Sequence, residues 1–248
     1  MTPLWLTRST SRPLVFGHRG SPKLATENTL SSFSAAVATG ADGIELDVRL
    51  DGSGRVVVFH DAELTRMTRG QDTRFVEAVP SAQLDMIRLL GQEPIPTLAA
   101  VLDWARHGDV RLNVEIKADL RAPATLIEAV LDQLQDFPDA PARVGLSSFD
   151  PRLVLALSRR QHRLGVGWLV QETLPPTTPE GPWRRLGACC AHAKYSLLDA
   201  ARISELHALQ LAVVTWTVDD ASTAAQLARL GVDAIISNLP GRVRKSLG

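Results

Sequence analysis

Only two cysteines occur in 248 residues, and they are neighbours, Cys189 and Cys190. Adjacent cysteines rarely bridge, and one pair cannot staple a chain this long, so a disulfide scaffold is excluded. The pair reads as two small buried apolar side chains. A redox or metal site there would need a second Cys/His cluster, and the sequence offers none. Such cysteine usage suits a reducing compartment, and a cytoplasmic location is expected. Long hydrophobic runs are also missing: nothing approaches the roughly 18 apolar residues of a membrane span. The opening Met1-Thr2-Pro3-Leu4-Trp5-Leu6 lacks a basic start followed by a long apolar stretch, so no secretory leader is expected. Charge bias is absent as well, with Lys+Arg and Asp+Glu at 27 each. A neutral chain has no long-range field for nucleic acid or an acidic membrane, and neither is expected as a stable partner. A small charged ligand in a local pocket remains compatible.

What is present is a regular alternation. Eight short apolar runs read as strands: Leu14–His18, Gly43–Leu50, Arg111–Lys117, Arg143–Ser147, Arg163–Val170, Cys189–Lys194, Leu211–Val218 and Asp233–Ser237. Most are rich in Val, Ile and Leu, the pattern of strands covered on both faces. Helical patterns lie between them at Thr29–Thr39, Leu98–His107, Ala122–Gln135, Arg152–Arg160, Asp199–Ala208 and Asp220–Leu230, with a short terminal helix after Pro240. Asp150, Asp199 and Asp219 or Asp220 are candidate N-caps, because a carboxylate accepts the free amides of a first helical turn. Strand–helix alternation implies parallel strands and right-handed crossovers. Eight units in a chain of this size predict an α/β protein, a (β/α)8 barrel formed by residues 1–248 as one domain. An open doubly wound sheet is the alternative. It would usually carry a Gly-rich nucleotide turn after the first strand, and Gly17-His18-Arg19-Gly20 lacks that spacing.

Two segments exceed ordinary loops. Residues 51–97 begin with a hairpin-type turn, Asp51-Gly52-Ser53-Gly54, followed by the apolar run Arg55–Phe59 and then His60-Asp61. This segment is expected to be a small insertion after the second strand, lying over the barrel mouth. Pro175–Pro182 is too rich in proline for a helix and reads as a surface loop.

Acids stand where a barrel strand should be apolar. In Gly43-Ile44-Glu45-Leu46-Asp47-Val48 the carboxylates are two apart, so both point the same way while Leu46 and Val48 take the other face. Glu115 and Lys117 repeat the spacing. Three carboxylates inside one barrel repel and lose hydration, at an effective cost of several kcal/mol per buried ion. One lysine does not neutralise them; a divalent cation would. Oxygen ligands suit Mg²⁺ or Ca²⁺ better than zinc. The alternative is a buried ion-pair network around Lys117 and Arg19. His18 and Arg19 follow the first strand, at the end where such barrels place active sites. Arg19 and Lys117 are cations suited to phosphate oxygens. His60-Asp61 should return over the same mouth, where Asp61 either orients His60 or only forms the turn.

These residues, in this order, resemble the glycerophosphodiester phosphodiesterases. The resemblance rests on His18-Arg19-Gly20, Glu27-Asn28-Thr29, Glu45 and Asp47, His60-Asp61, and Glu115 with Lys117. Ile95-Pro96-Thr97-Leu98, Ser148-Phe149-Asp150, Trp216-Thr217 and Gly231-Val232-Asp233 extend it, so that it spans about Val15 to Pro240. It implies a TIM barrel with an insertion after the second strand. It implies one divalent cation on Glu45, Asp47 and Glu115, and His18 and His60 as the acid/base pair. Arg19 and Lys117 would hold phosphate and Trp216 would line the substrate pocket. Two departures stand out. Thr26 replaces a usual proline, which loosens a turn. Ser237-Asn238 stands where the family often has an aspartate, so Asn238 is left outside the expected site.

The resemblance implies hydrolysis of a glycerophosphodiester, such as glycerophosphocholine or glycerophosphoethanolamine, to glycerol 3-phosphate and an alcohol. One histidine would take a proton from the nucleophile, either water or a glycerol hydroxyl attacking through a cyclic phosphate. The other would protonate the departing alkoxide. A lysophospholipase D-type activity on lipids is the second reading, favoured by an apolar approach to the site. A non-catalytic phosphate-binding protein on the same fold is the third, and it predicts loss of the histidines or acids that are here intact.

Overall fold

The computed structural model describes residues 3–7, 12–90, 92–119, 121–137, 139–160 and 163–248. Met1 and Thr2 of the opening segment lie outside the described residues, as does Gly91 of the insertion. The strands are β1 (Leu14–His18), β2 (Gly43–Leu50), β3 (Val56–Val58), β4 (Arg111–Ile116), β5 (Val144–Ser148), β6 (Gly165–Val170), β7 (Cys190–Lys194), β8 (Ala212–Trp216) and β9 (Ala234–Ser237). Eight are parallel and close on themselves in the order β1-β2-β4-β5-β6-β7-β8-β9, with β9 pairing back to β1. This is the expected (β/α)8 barrel, each strand ending within two residues of its expected bounds. The extra strand, β3, is the apolar run of residues 51–97. The Asp51-Gly52-Ser53-Gly54 turn folds it back antiparallel on β2, with Val58 opposite Val48.

The helices are α1 (Leu30–Ala38), α2 (Ser81–Leu84), α3 (Leu98–Arg106), α4 (Pro123–Gln135), α5 (Ala140–Arg143), α6 (Pro151–Arg160), α7 (Pro182–Leu186), α8 (Ala200–Ala208), α9 (Ala221–Leu230) and α10 (Pro240–Ser246). Caps decide several starts. Thr29 accepts from Ser32 N at 3.2 Å and Thr97 from Ala100 N at 3.1 Å. Asp199 and Asp220 each accept from the third residue onward at 2.8 Å. Of the pair Asp219 and Asp220, therefore, only Asp220 is the cap. The proline-rich stretch is a loop up to Gly181, but its last proline, Pro182, opens α7. A proline at the first helical position sacrifices no hydrogen bond.

Outward side chains of the strands, such as Leu46, Val48, Val114 and Ile116, pack on Val101, Leu102, Ile127 and Val130 of α3 and α4. Residues 51–97 have their own small core of Val57, Phe59, Leu64, Met67, Val76, Val79, Leu84 and Leu89. Trp5 packs against Phe16 and Cys190 inside the barrel. It lies against Gly145, near the start of β5, where any Cβ would run into the indole ring. The N-terminal ends of the strands are thereby plugged, and the polar interior is left to the opposite end.

Candidate active site

The pairing register gathers the acids. His18, the last residue of β1, stands opposite Glu45 on β2, and Asp47 stands opposite Glu115 on β4. Because alternate side chains share a face, all of these point inward. Glu45, Asp47 and Glu115 are buried, and one carboxylate oxygen from each lies within 4.8 Å of the others. No other group of three potential metal ligands occurs among the described residues.

Two cations partly offset the acids. Lys117 Nζ donates to Glu115 Oε1 at 2.8 Å and to Asp47 Oδ1 at 3.2 Å. Arg19 Nε stands 3.3 Å from Asp47 Oδ2, and its Nη1 donates to Glu27 Oε1 at 2.9 Å. Arg19 has a left-handed backbone, φ 52°, which a non-glycine residue adopts at a cost. Its amide donates to Glu45 Oε2 at 3.0 Å. Burial and the neighbouring Asp47 push Glu45 up to about 8 and Glu115 up to about 7. Burial pushes Asp47 the same way, but Lys117 and Arg19 outweigh it and hold that carboxyl low. Asn28 adds a bond, donating from Nδ2 to Asp47 Oδ2 at 2.9 Å. Two cations thus hold Asp47 ionised, while Glu45 and Glu115 are held back from ionising. Both expectations for this cluster thus have a place: Lys117 and Arg19 form a buried ion-pair network, and the oxygen-only donor set still fits a hard divalent cation.

The histidines face the same space. His60 follows β3, and its Nδ1 is 2.7 Å from Asp61 Oδ1. Asp61 also accepts from Arg66 Nε at 2.7 Å. His18 Nδ1 is 2.7 Å from Asn238 Oδ1, and its Nε2 is 3.9 Å from Glu45 Oε2. Burial lowers both histidines below the usual range; Arg19 adds to this at His18, and Lys117 and Arg19 at His60. Each imidazole therefore rests largely neutral, able to accept a proton.

A cavity of about 250 Å³ lies at this end of the barrel, lined by His18, Arg19, Glu45, His60, Glu115 and Trp216, with Phe149, Gln171 and Asn113 among its other walls. Trp216 is anchored by its indole N–H, 2.9 Å from the His192 carbonyl, and meets the Phe149 ring edge-on at 5.5 Å. Asp47 is buried and does not line this cavity. Lys117 opens instead on an adjoining cavity of about 400 Å³, bounded by Arg49, Asp61, Ala118 and Asp119. The two cavities share His60, Glu115 and Phe149.

Some contributors escaped the sequence reading. Asn238 lies outside the site expected from the sequence, yet it binds His18. Arg49 continues the Glu45, Asp47 spacing by another two residues, and that alternation was the signal for it. It is 1% exposed and donates from Nε to the His60 carbonyl. Arg66 reaches Glu27 and Asp61 together, a link between distant segments that no local pattern announces.

The fold and the matched family place the chain among the phosphoric diester hydrolases. The chain belongs to the Glycerophosphoryl diester phosphodiesterase family, whose pattern matches residues 18–242. The glycerophosphodiester phosphodiesterase of Caldanaerobacter subterraneus subsp. tengcongensis is 29% identical over 239 residues, covering 92% of this chain and 95% of that protein. Among solved structures, an Oleispira antarctica phosphodiesterase in complex with the product sn-glycerol-3-phosphate superposes with a TM-score of 0.87 at 28% identity, covering 95% of this chain and 96% of its own. A second solved structure, from Silicibacter pomeroyi, gives 0.85 at 26% identity, covering 98% of this chain and 95% of its own.

Proposed function

We propose that the protein hydrolyses water-soluble glycerophosphodiesters, such as glycerophosphocholine or glycerophosphoethanolamine, to glycerol 3-phosphate and the free alcohol. The observation that carries this reading is the junction of the two cavities. His60 and Glu115 line both, Arg19 opens on one and Lys117 on the other. A phosphate at the junction meets a cation from each side and an oriented histidine. Glu45, Asp47 and Glu115 would hold one divalent cation, Mg²⁺ or Ca²⁺. When bound, it would offset phosphate charge and make a coordinated hydroxyl or water more acidic.

The remaining chemistry belongs to the chain. Arg19 is aimed by Glu27 and by its own left-handed backbone. Asp61 holds the Nδ1 proton of His60, so that Nε2 faces the reacting atoms. His18 and His60 exchange protons with the nucleophile and the departing alkoxide. Trp216 and Phe149 form the apolar wall for the carbon skeleton. Residues 1–248 act as one catalytic domain, with 51–97 supplying His60, Asp61 and Arg66 at the rim of the mouth.

Four charged side chains at the second cavity, Arg49, Asp61, Lys117 and Asp119, suit a polar, water-soluble substrate, beside the apolar Ala62, Ile116, Ala118 and Phe149. No helix among the described residues is long and apolar enough to cross a membrane. The two thiols are free and fit a cytoplasmic setting. The test is product analysis on glycerophosphocholine, glycerophosphoethanolamine and lysophosphatidylcholine in parallel. Release of glycerol 3-phosphate from the first two is expected. Choline release confined to the lysolipid would replace this reading with the lysophospholipase D-type one.

A further inference from the structure

We propose that Asp219 is a positioning residue that fixes the tautomer of His18 through the Asn238 side-chain amide. The inference rests on the reading of His18 as an acid/base residue. Three bonds converge on Asp219, which lies between β8 and α9. Its Oδ1 accepts from Asn238 N at 2.7 Å and from Ser237 Oγ at 3.0 Å, and its Oδ2 accepts from Asn238 Nδ2 at 2.9 Å. Asp220 is the helix cap, so Asp219 is left to bridge to the loop after β9.

A carboxylate only accepts hydrogen bonds. The Asn238 atom facing Asp219 must therefore be the amide nitrogen. Turning the amide over would set its oxygen against a carboxylate oxygen and lose the bond. With Nδ2 committed, Oδ1 faces His18 Nδ1 at 2.7 Å. An amide oxygen also only accepts, so the imidazole donates from Nδ1. The neutral ring then carries its proton on Nδ1, and the Nε2 lone pair looks into the cavity. Glu45 Oε2, 3.9 Å from Nε2, is beyond hydrogen-bond distance and does not compete for the proton.

The chain thus uses two residues where a single aspartate could touch the ring directly. The charge sits one residue away, and a neutral amide faces the imidazole. His60 differs, because Asp61 places a carboxylate straight on its Nδ1. In the resting enzyme His18 is accordingly a proton acceptor at Nε2.

The test uses the full chain labelled with ¹⁵N at histidine. Two-bond ¹⁵N–¹H correlation spectra, assigned with His18→Ala, distinguish a protonated from an unprotonated ring nitrogen. Wild-type protein is expected to show His18 protonated at Nδ1. Asp219→Asn frees the Asn238 amide to turn over, so His18 should shift toward the Nε2-protonated form. Turnover should then fall by about 10²-fold, within the range lost with acid/base groups, while KM changes little. The double variant Asp219→Asn with Asn238→Asp puts a carboxylate on Nδ1 directly and should restore both the tautomer and most of kcat. A wild-type spectrum with His18 protonated at Nε2 overturns the proposal without reference to any variant. So does an Asp219→Asn enzyme with unchanged tautomer and kcat. The acid/base reading fails separately: a His18→Ala enzyme with normal turnover would remove it and leave the wild-type tautomer to be judged by the spectrum.

Discussion

The guanidinium of Arg49 donates through Nε to the backbone carbonyl of His60 at 2.9 Å. Its Nη2 also binds both oxygens of Asp119 at 2.7 Å. A barrel strand is thereby tied to the loop that carries one of the two histidines. Arg49→Met keeps an unbranched apolar stem and removes these bonds. Stability should fall by about 1–3 kcal/mol, since the buried carbonyl loses its charged donor. Turnover should fall by about 10- to 10²-fold as His60 loses its fixed position. Thermal melts and steady-state kinetics check this; a stable variant with normal kcat would show that the loop holds His60 unaided.

His18→Ala and His60→Ala should each reduce turnover by about 10²–10⁴-fold, the usual contribution of a positioned acid or base. Neither side chain belongs to the apolar clusters that build the barrel, so circular dichroism should be unchanged. Near-normal activity in either variant would end the two-histidine assignment.

Trp216→Ala should raise KM for glycerophosphodiesters by roughly three- to tenfold, in keeping with the loss of an aromatic wall worth about 1 kcal/mol, with a smaller change in kcat. The indole pairs edge-on with Phe149 at the cavity, so Phe149→Ala should act in the same direction. Kinetics on glycerophosphocholine and glycerophosphoethanolamine would reveal a reversed pattern, with kcat lost and KM intact.

The barrel and most of its site were legible because their signals are local. Glu45, Asp47, Glu115 and Lys117 announce themselves as charges at strand spacing, and β-strand alternation alone sends them to one face. The short helices α2, α5 and α7 were not legible, because four or five residues carry too little periodicity. The His18–Asn238–Asp219 chain was invisible for another reason. Its members come from three βα junctions, and only barrel closure, with β9 returning to β1, brings Asn238 to His18. Substituting asparagine for the family's aspartate read as a loss. The structure places a carboxylate beside it, on Asp219, which accepts from the Asn238 backbone and side-chain amides.

The acids also make stability depend on pH and on the cation. Glu45 is pushed from 4.5 to about 8 and Glu115 from 4.5 to about 7. In the folded, cation-free protein these groups retain protons that the unfolded chain releases above about pH 4.5, so the folded state binds more protons in that window. Stability therefore falls as pH rises from about 4.5 to about 8. A divalent cation reverses the trend, because it binds the ionised acids of the folded state. Thermal melts in chelator should lose Tm across that window, and added Mg²⁺ or Ca²⁺ should raise Tm more near pH 8 than near pH 5. A cation effect independent of pH would place the binding elsewhere.

The most direct measurement is glycerol 3-phosphate release from glycerophosphocholine by chelator-stripped enzyme, before and after titration with Mg²⁺ or Ca²⁺, alongside Glu115→Gln. Negligible release is expected without a cation, saturable recovery with one, and little recovery in Glu115→Gln. Full turnover in chelator, or recovery in Glu115→Gln equal to wild type, would contradict a cation held by Glu45, Asp47 and Glu115 as the partner of His18 and His60.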